Sequence, residues 1–129
     1  MAGILLDTHI WSWTLTFESR LSTVASTALE EAETRVVSPV SFYEIAQKVR
    51  LGKWPAMAPY VGGLEQSVVD QGMIVAPLTA EIALLAGLLD WDHRDPFDRI
   101  LAATALVMDI DLISADTTFD EVPYLRRMW

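Results

Sequence analysis

The sequence predicts one α/β domain built on a mostly parallel β-sheet of four to five strands. Short apolar runs alternate with segments in which apolar residues recur every three or four positions, a pattern typical of strands connected by helices. The first run, residues 4–6, is apolar without alternation, which indicates a strand buried on both faces. A chain of 129 residues that is 52% hydrophobic suits a single core. We therefore expect a single domain over residues 1–129.

The later elements follow in alternation. Further strands are predicted at 35–38, 74–77 and 111–114, with an edge strand in 124–129. Helices are predicted at 9–17, 22–32, 39–51, 57–70, 80–89 and 97–108. Ser38-Pro39 and Asp95-Pro96 each place a capping residue before a proline, which is a strong signal for a helix start. The last helix is apolar nearly all round, so we expect it to be buried.

Composition excludes several classes of function. The chain has no cysteine, so it forms neither a disulfide framework nor a thiolate metal site. No apolar stretch reaches the roughly 18 residues of a membrane helix, and no basic segment precedes the first apolar run. We expect a soluble, cytoplasmic protein. The net charge of −9 argues against binding nucleic acid by general electrostatic attraction. The acidity belongs either to a solvated surface or, in part, to a cation site.

Four carboxylates occupy positions that this outline brings together. Asp7 ends the first strand, Glu44 lies on the helix after the second, Asp98 opens the buried helix, and Asp116 follows the fourth strand. If the first and fourth strands are neighbours, all four meet at one edge of the sheet, where open parallel sheets bind ligands. Clustered carboxylates repel one another unless a hard cation neutralises them, and oxygen ligands suit Mg²⁺ or Mn²⁺.

Each acid also has a purely structural interpretation. Asp7, Asp95 and Asp116 are all placed to cap the segment that follows them. Asp98 is placed to complete a capping box with Asp95. We interpret Asp95 itself chiefly as a helix cap. Glu44 fits a solvated helix residue, because its position opposite the apolar stripe turns it toward a surface or a cleft.

Basic residues near the acids are candidate contacts for phosphate: Lys48, Arg50, Lys53, Arg94 and Arg99. For Lys48 and Arg50, cations that complement the dipole of a helix end are an equally good interpretation. We expect an ordinary polar role for His9, because the second histidine, His93, lies in a different loop and the histidines show no metal-binding spacing. Motifs of serine hydrolases and glycine-rich phosphate loops are absent from the sequence.

Four blocks, LLDTHIWSW, SPVSFYEIAQKVRLGKW, HRDPFDRILAATA and LISADTTFDEV, resemble in order and spacing the PIN-domain nucleases, in particular the VapC-type toxins of bacterial toxin–antitoxin pairs. The resemblance covers nearly the whole chain. It implies a three-layer α/β/α sandwich with a central parallel sheet, ribonuclease activity that requires Mg²⁺ or Mn²⁺, a homodimer, and a cognate antitoxin that occupies the active site.

By position, the resemblance implies catalytic and metal-binding roles for the four acids, with supporting hydroxyls from Thr8 and Ser114. An antitoxin would place a basic side chain among the carboxylates and cover apolar surface near Trp11, Trp13 or Trp54.

Two alternatives remain open. The first is a Mg²⁺-dependent phosphoryl-transfer domain of the phosphatase or receiver type, which also places an Asp at the end of a central strand. Such phosphatases need a second Asp two residues later, where this chain has His9. The second alternative is a non-catalytic interaction module on the same fold, which is disfavoured because all four acids are present.

Overall fold

Five parallel strands form one sheet in the order β3-β2-β1-β4-β5. The computed structural model describes residues 3–129. The strands are β1 (Gly3–Leu6), β2 (Thr34–Val37), β3 (Ile74–Val75), β4 (Asp111–Ile113) and β5 (Arg127–Met128). Because β1 pairs with β2 on one side and with β4 on the other, the predicted adjacency of the first and fourth strands is confirmed.

Helices cover both faces of the sheet. They are α1 (Thr8–Thr16), α2 (Thr23–Glu31), α3 (Pro39–Arg50), α4 (Leu64–Asp70), α5 (Ala80–Leu88) and α6 (Pro96–Met108). Ile4 and Leu6 of β1 pack with residues of α1 to α4 on one face, whereas Leu5 packs with α6 on the other. Successive residues of a strand point to opposite faces, so this division makes a three-layer α/β/α sandwich. The predicted fold class is confirmed.

Two predicted elements are shorter in the structure. The helix predicted over 57–70 is wrong in its first half: two 3₁₀ turns, Pro55–Met57 and Val61–Gly63, precede α4. The adjacent glycines 62 and 63 account for this, because glycine is a poor helix former. The third strand is reduced to two residues, β3, before Pro77. The expected burial of the last helix is confirmed for residues 101–105. Within residues 3–129, none of the helices has both the length and the apolar character that crossing a membrane requires.

The central strand should dominate stability. Leu5 is fully buried between β2, β4 and α6, so Leu5→Ala should lower the free energy of unfolding by about 2–5 kcal/mol through lost contacts and a cavity. The matched control is Val69→Ala on α4, where the residue is 68% exposed and the expected loss is under about 1 kcal/mol. Urea denaturation of both variants tests this, and equal losses would contradict the packing described.

Candidate active site

A cleft of about 520 Å³ opens beside the carboxyl ends of β1 and β4. All four of the predicted site acids contribute to its wall. The lining residues are Asp7, His9, Ile10, Trp13, Glu44, Lys48, His93, Asp95, Asp98, Ala115 and Asp116. The fold thus brings together carboxylates that lie on four separate segments of the chain.

Asp7 is one of two buried acids in the cleft, the other being Glu44. Asp7 stands at the N-cap position of α1, yet its side chain makes no capping hydrogen bond, so the capping interpretation does not apply. Instead, the Ser114 hydroxyl donates a hydrogen bond of 2.7 Å to Asp7 Oδ2. Burial raises the pKa of Asp7, and the hydrogen bond from Ser114 opposes that rise. The carboxylate therefore sits where its charge is costly unless a cation or a proton offsets it.

Glu44 lies on α3, in the cleft wall and away from the core. Ser38 starts this helix, because its hydroxyl accepts a hydrogen bond from the Val40 amide with Pro39 in the first turn. The side chain of Glu44 is 8% exposed, and the Lys48 ammonium lies 2.6 Å from Glu44 Oε2. The charge of Glu44 is thus already paired within its own helix.

Asp98 stands at the start of α6 and contacts a histidine of the preceding loop. His93 Nε2 lies 2.6 Å from Asp98 Oδ2. Burial raises the pKa of Asp98 from its ordinary 3.8 to about 6, with smaller contributions from Asp95 and Asp7, and the hydrogen bond from His93 acts against the rise. Asp95 does cap α6, as predicted, by accepting a hydrogen bond of 2.9 Å from the Phe97 amide.

His93, Asp95 and Asp98 form a cluster of potential metal ligands. Each offers one ligand atom, and these atoms lie within 4.8 Å of one another. His93 is therefore a candidate ligand that was not among the site residues predicted from the sequence. The signal in the sequence was the spacing H-x-D-x-x-D directly before a helix, which places one histidine and two carboxylates around a helix N-terminus.

Arg99 holds the segment that carries His93. Its five N–H donors are all used by main-chain carbonyls at the end of α5 and in the loop that follows it: those of residues 86, 87, 89, 91 and 93. This leaves no donor for a phosphate, so the structure gives Arg99 a positioning role in place of the predicted substrate contact. The loop from α5 to α6, and with it the imidazole of His93, is thereby fixed over α6.

Asp116 lies at the exposed rim of the cleft. Its Oδ1 accepts hydrogen bonds from the Thr118 amide (2.9 Å) and hydroxyl (2.8 Å), so its predicted capping role is present. The Asp116 amide donates to the Ser114 hydroxyl at 3.0 Å, which links Asp116 through Ser114 to Asp7. Thr8 differs from expectation, because its hydroxyl bonds the Ser41 hydroxyl at 2.8 Å and thus joins α1 to α3.

The remaining candidates are more scattered. Arg50, Lys53 and Arg94 are exposed and stand outside the cleft lining, whereas Lys48 belongs to it. Trp11, expected near an antitoxin, is fully buried, and its indole N–H donates to Gln71 Oε1 at 3.0 Å. A surface role for Trp11 is therefore wrong.

The donor set fits a hard divalent cation. Carboxylate oxygens with a single imidazole are ligands that Mg²⁺ and Mn²⁺ accept, and the residues that line the cleft include neither cysteine nor methionine. The raised pKa values of Asp7 and Asp98 have the same cause, since burial penalises both charges. A cation between them would remove this penalty.

Comparison with known proteins decides the family. A model of the PIN domain matches residues 4–124. The chain belongs to the PIN-domain family. Ribonuclease VapC22 of Mycobacterium tuberculosis (strain ATCC 25618 / H37Rv) is 29% identical to this PIN domain over 117 residues, which cover 90% of this chain and 88% of that relative. The resemblance to PIN-domain nucleases of the VapC type is confirmed.

Solved structures share the PIN fold. DNA-bound VapBC from Salmonella typhimurium matches with a TM-score of 0.68 and 14% identity over 98% of this chain and 97% of the other. FitAcB from Neisseria gonorrhoeae matches with a TM-score of 0.66 and 20% identity over 96% and 95%. VapBC2 from Rickettsia felis, bound to a DNA fragment from the promoter, matches with a TM-score of 0.64 and 15% identity over 97% and 96%. At these identities the likeness concerns the fold alone.

The raised pKa of Asp98 has a measurable consequence for stability. Asp98 binds its proton more tightly in the folded chain, where its pKa is about 6, than at its ordinary pKa of 3.8. Its contribution to the free energy of unfolding is therefore fully present below about pH 4 and is lost as the pH rises through about 6. In EDTA at pH 7.5, Asp98→Asn should therefore be more stable than the unmodified chain by about 1–2 kcal/mol, after allowance for solvent screening. The difference should vanish near pH 4.

Thermal and urea unfolding across that pH range measure the effect, with Asp92→Asn, an exposed loop acid, as the matched control. A metal-free Asp98→Asn protein that is less stable at pH 7.5 would contradict the electrostatic description of the cleft.

Proposed function

We propose that this PIN domain is a metal-dependent endoribonuclease toxin that hydrolyses RNA phosphodiester bonds and is neutralised by a cognate antitoxin. The observation that carries the proposal is the convergence of Asp7, Glu44, Asp98 and Asp116 on one cleft in a chain of this family. Its VapC22 relative is a ribonuclease, and the solved VapBC complexes share its fold. Family membership also argues against the phosphatase or receiver alternative.

In this proposal, Asp7 and Asp98 hold Mg²⁺ or Mn²⁺, with Glu44 and Asp116 nearby as further ligands or as partners of its water shell. The cation would supply Lewis-acid stabilisation of the negative charge that grows on the phosphate. Ser114 and His93 each occupy one oxygen of their carboxylate, Oδ2 of Asp7 and Oδ2 of Asp98, and so fix the direction of the other oxygen.

The remaining acids would act on the attacking water. Glu44 and Asp116 accept hydrogen bonds, so either can orient a water for in-line attack and receive its proton as the new phosphorus–oxygen bond forms. The bond from phosphorus to the leaving ribose oxygen breaks in the same displacement, and that oxygen takes a proton from solvent. Glu44 is held by Lys48, whereas Oδ2 of Asp116 is outside its capping bonds to Thr118. Because the cleft is strongly acidic, RNA should bind it weakly without the cation.

The same charge distribution suits an antitoxin. A chain with a net charge of −9 and a recessed acidic cleft would attract a basic side chain, which would compete with Lys48 for Glu44. The proposal also includes a homodimer. A second copy would cover apolar surface such as that of α5, where Leu84 is 65% and Leu88 is 78% exposed.

Cleavage of RNA tests the proposed activity. Purified protein should cut mixed single-stranded RNA when Mn²⁺ or Mg²⁺ is present and not in EDTA. Asp7→Asn and Asp98→Asn should each lose about 100-fold or more of the rate, because each removes a charge that binds the cation. Asp92→Asn, on the exposed loop, should keep full activity. Cleavage that persists in EDTA or in both variants would reject the proposal, and a chain that never cleaves would favour the non-catalytic module.

The hydrogen bond from His93 predicts a separate effect on metal affinity. His93→Ala should weaken Mn²⁺ binding about 10- to 100-fold, because Asp98 loses the group that orients its carboxylate. His93→Gln keeps an N–H donor and should recover part of the affinity. Calorimetric titration with Mn²⁺ measures both variants, with His9→Ala as a cleft histidine outside the ligand cluster. Equal affinity in His93→Ala and the unmodified chain would contradict this role.

A further inference from the structure

Three neighbouring aromatic rings, Trp13, His9 and Trp54, form a row that starts in the cleft wall; we name them the aromatic strip. The His9 and Trp54 rings are stacked, with centroids 4.8 Å apart and an angle of 28° between planes. The edge of one ring meets the other between His9 and Trp13, at 6.4 Å and 64°. Cations lie at both ends, with Lys48 Nζ 5.4 Å from the Trp54 ring and the Arg20 guanidinium 6.0 Å from the Trp13 ring.

The strip is continuous with the acids. His9 and Trp13 lie one turn apart on α1, directly after Asp7, and both line the same cleft as the carboxylates. At the other end, Lys48 contacts the Trp54 ring and also pairs with Glu44. A substrate phosphate at the acids would therefore have a flat aromatic surface within reach of its neighbouring base.

The exposure of the strip indicates a surface for ligand. His9 is exposed even though an apolar partner ring lies on it, so the core does not require its aromatic character. Trp13 and Trp54 are half-buried and pack against the core with part of each ring left accessible. Alternation of aromatic rings with cations is the chemistry that binds unpaired bases and their phosphates, because every base presents a π-face for stacking. In a chain of net charge −9, the exposed Arg20 at one end of this strip is well suited to a phosphate, whereas Lys48 at the other end already pairs with Glu44.

We infer that the aromatic strip binds an unpaired base of single-stranded RNA beside the phosphate that the acids act on. The inference rests on the proposed ribonuclease function and specifies its substrate, because a base inside a duplex cannot present its face to the strip. His9 and Trp13 are then residues that determine affinity and the choice of cleavage site, and Trp54 supports the ring of His9.

Binding to two matched single-stranded oligonucleotides, one with bases and one without, tests the stacking directly. A fluorescein-labelled 12-nucleotide RNA and its abasic counterpart, with the same ribose-phosphate backbone, are titrated in Ca²⁺ by anisotropy, and the RNA is then checked for intactness. His9→Ala should weaken binding of the base-bearing RNA about 5- to 20-fold and leave the abasic one unchanged. His9→Phe and Trp13→Phe keep a ring and should bind close to the unmodified chain. Tyr124→Ala removes a 93% exposed ring from outside the cleft and serves as the control.

Cleavage by the same variants separates this inference from the proposed function. With Mn²⁺, His9→Ala should raise KM and shift the cleavage sites while kcat changes little. If the unmodified chain cleaves RNA and His9→Ala alters neither binding nor site choice, the inference is wrong and the nuclease stands. If the chain binds RNA through the strip without cleaving it, the nuclease is wrong and the strip stands. The inference would be overturned if His9→Ala weakened binding of the base-bearing and the abasic RNA equally. It would also be overturned if His9→Ala weakened binding of a 12-residue peptide of alternating Arg and Leu but not binding of RNA, because the strip would then be a protein-binding surface.

Discussion

The pairing of β1 with β4 is the constraint on which the cleft depends. It joins two segments far apart in the chain, so that Ser114 donates to Asp7 across a separation of 107 residues. The apolar residues of both strands are fully buried, and this burial offsets the free-energy cost of the buried Asp7 carboxylate at the end of β1. The core thus stabilises an arrangement that the acids by themselves would oppose.

The cleft also depends on a second set of contacts around α6. Arg99 gathers the carbonyls of the loop from α5, this loop carries His93, and His93 contacts Asp98. Asp95 fixes the start of the helix by capping it. The Arg99 guanidinium is thus bound by main-chain carbonyls of the fold, while the neighbouring carboxylates of Asp95 and Asp98 line the cleft. The same division holds on α3, where Lys48 links the acid Glu44 to the aromatic ring of Trp54.

Much of the fold follows from the sequence because its signals are local. Uninterrupted apolar runs indicated the buried strands, and the cap-then-proline pairs at Ser38 and Asp95 located two helix starts. The helix predicted for the segment before α4 does not form, because glycine weakens a helix whose apolar spacing is otherwise acceptable. Direction of side chains was harder to predict. The capping interpretation suited Asp7 and Asp95 equally, yet only Asp95 uses its carboxylate as a cap. The spacing H-x-D-x-x-D is a local signal for His93, but the roles of Arg99 and the aromatic strip depend on tertiary contacts that no short motif reports.

The central claim is that Asp7 and Asp98 share one divalent cation. A crystal of the protein grown with Mn²⁺ and measured for anomalous scattering locates that ion directly. The account predicts a peak within about 2.2 Å of a carboxylate oxygen from each of these two residues, with Glu44 and Asp116 in or near its water shell. A peak held by other residues without Asp7, or no peak in the cleft at saturating Mn²⁺, would contradict it.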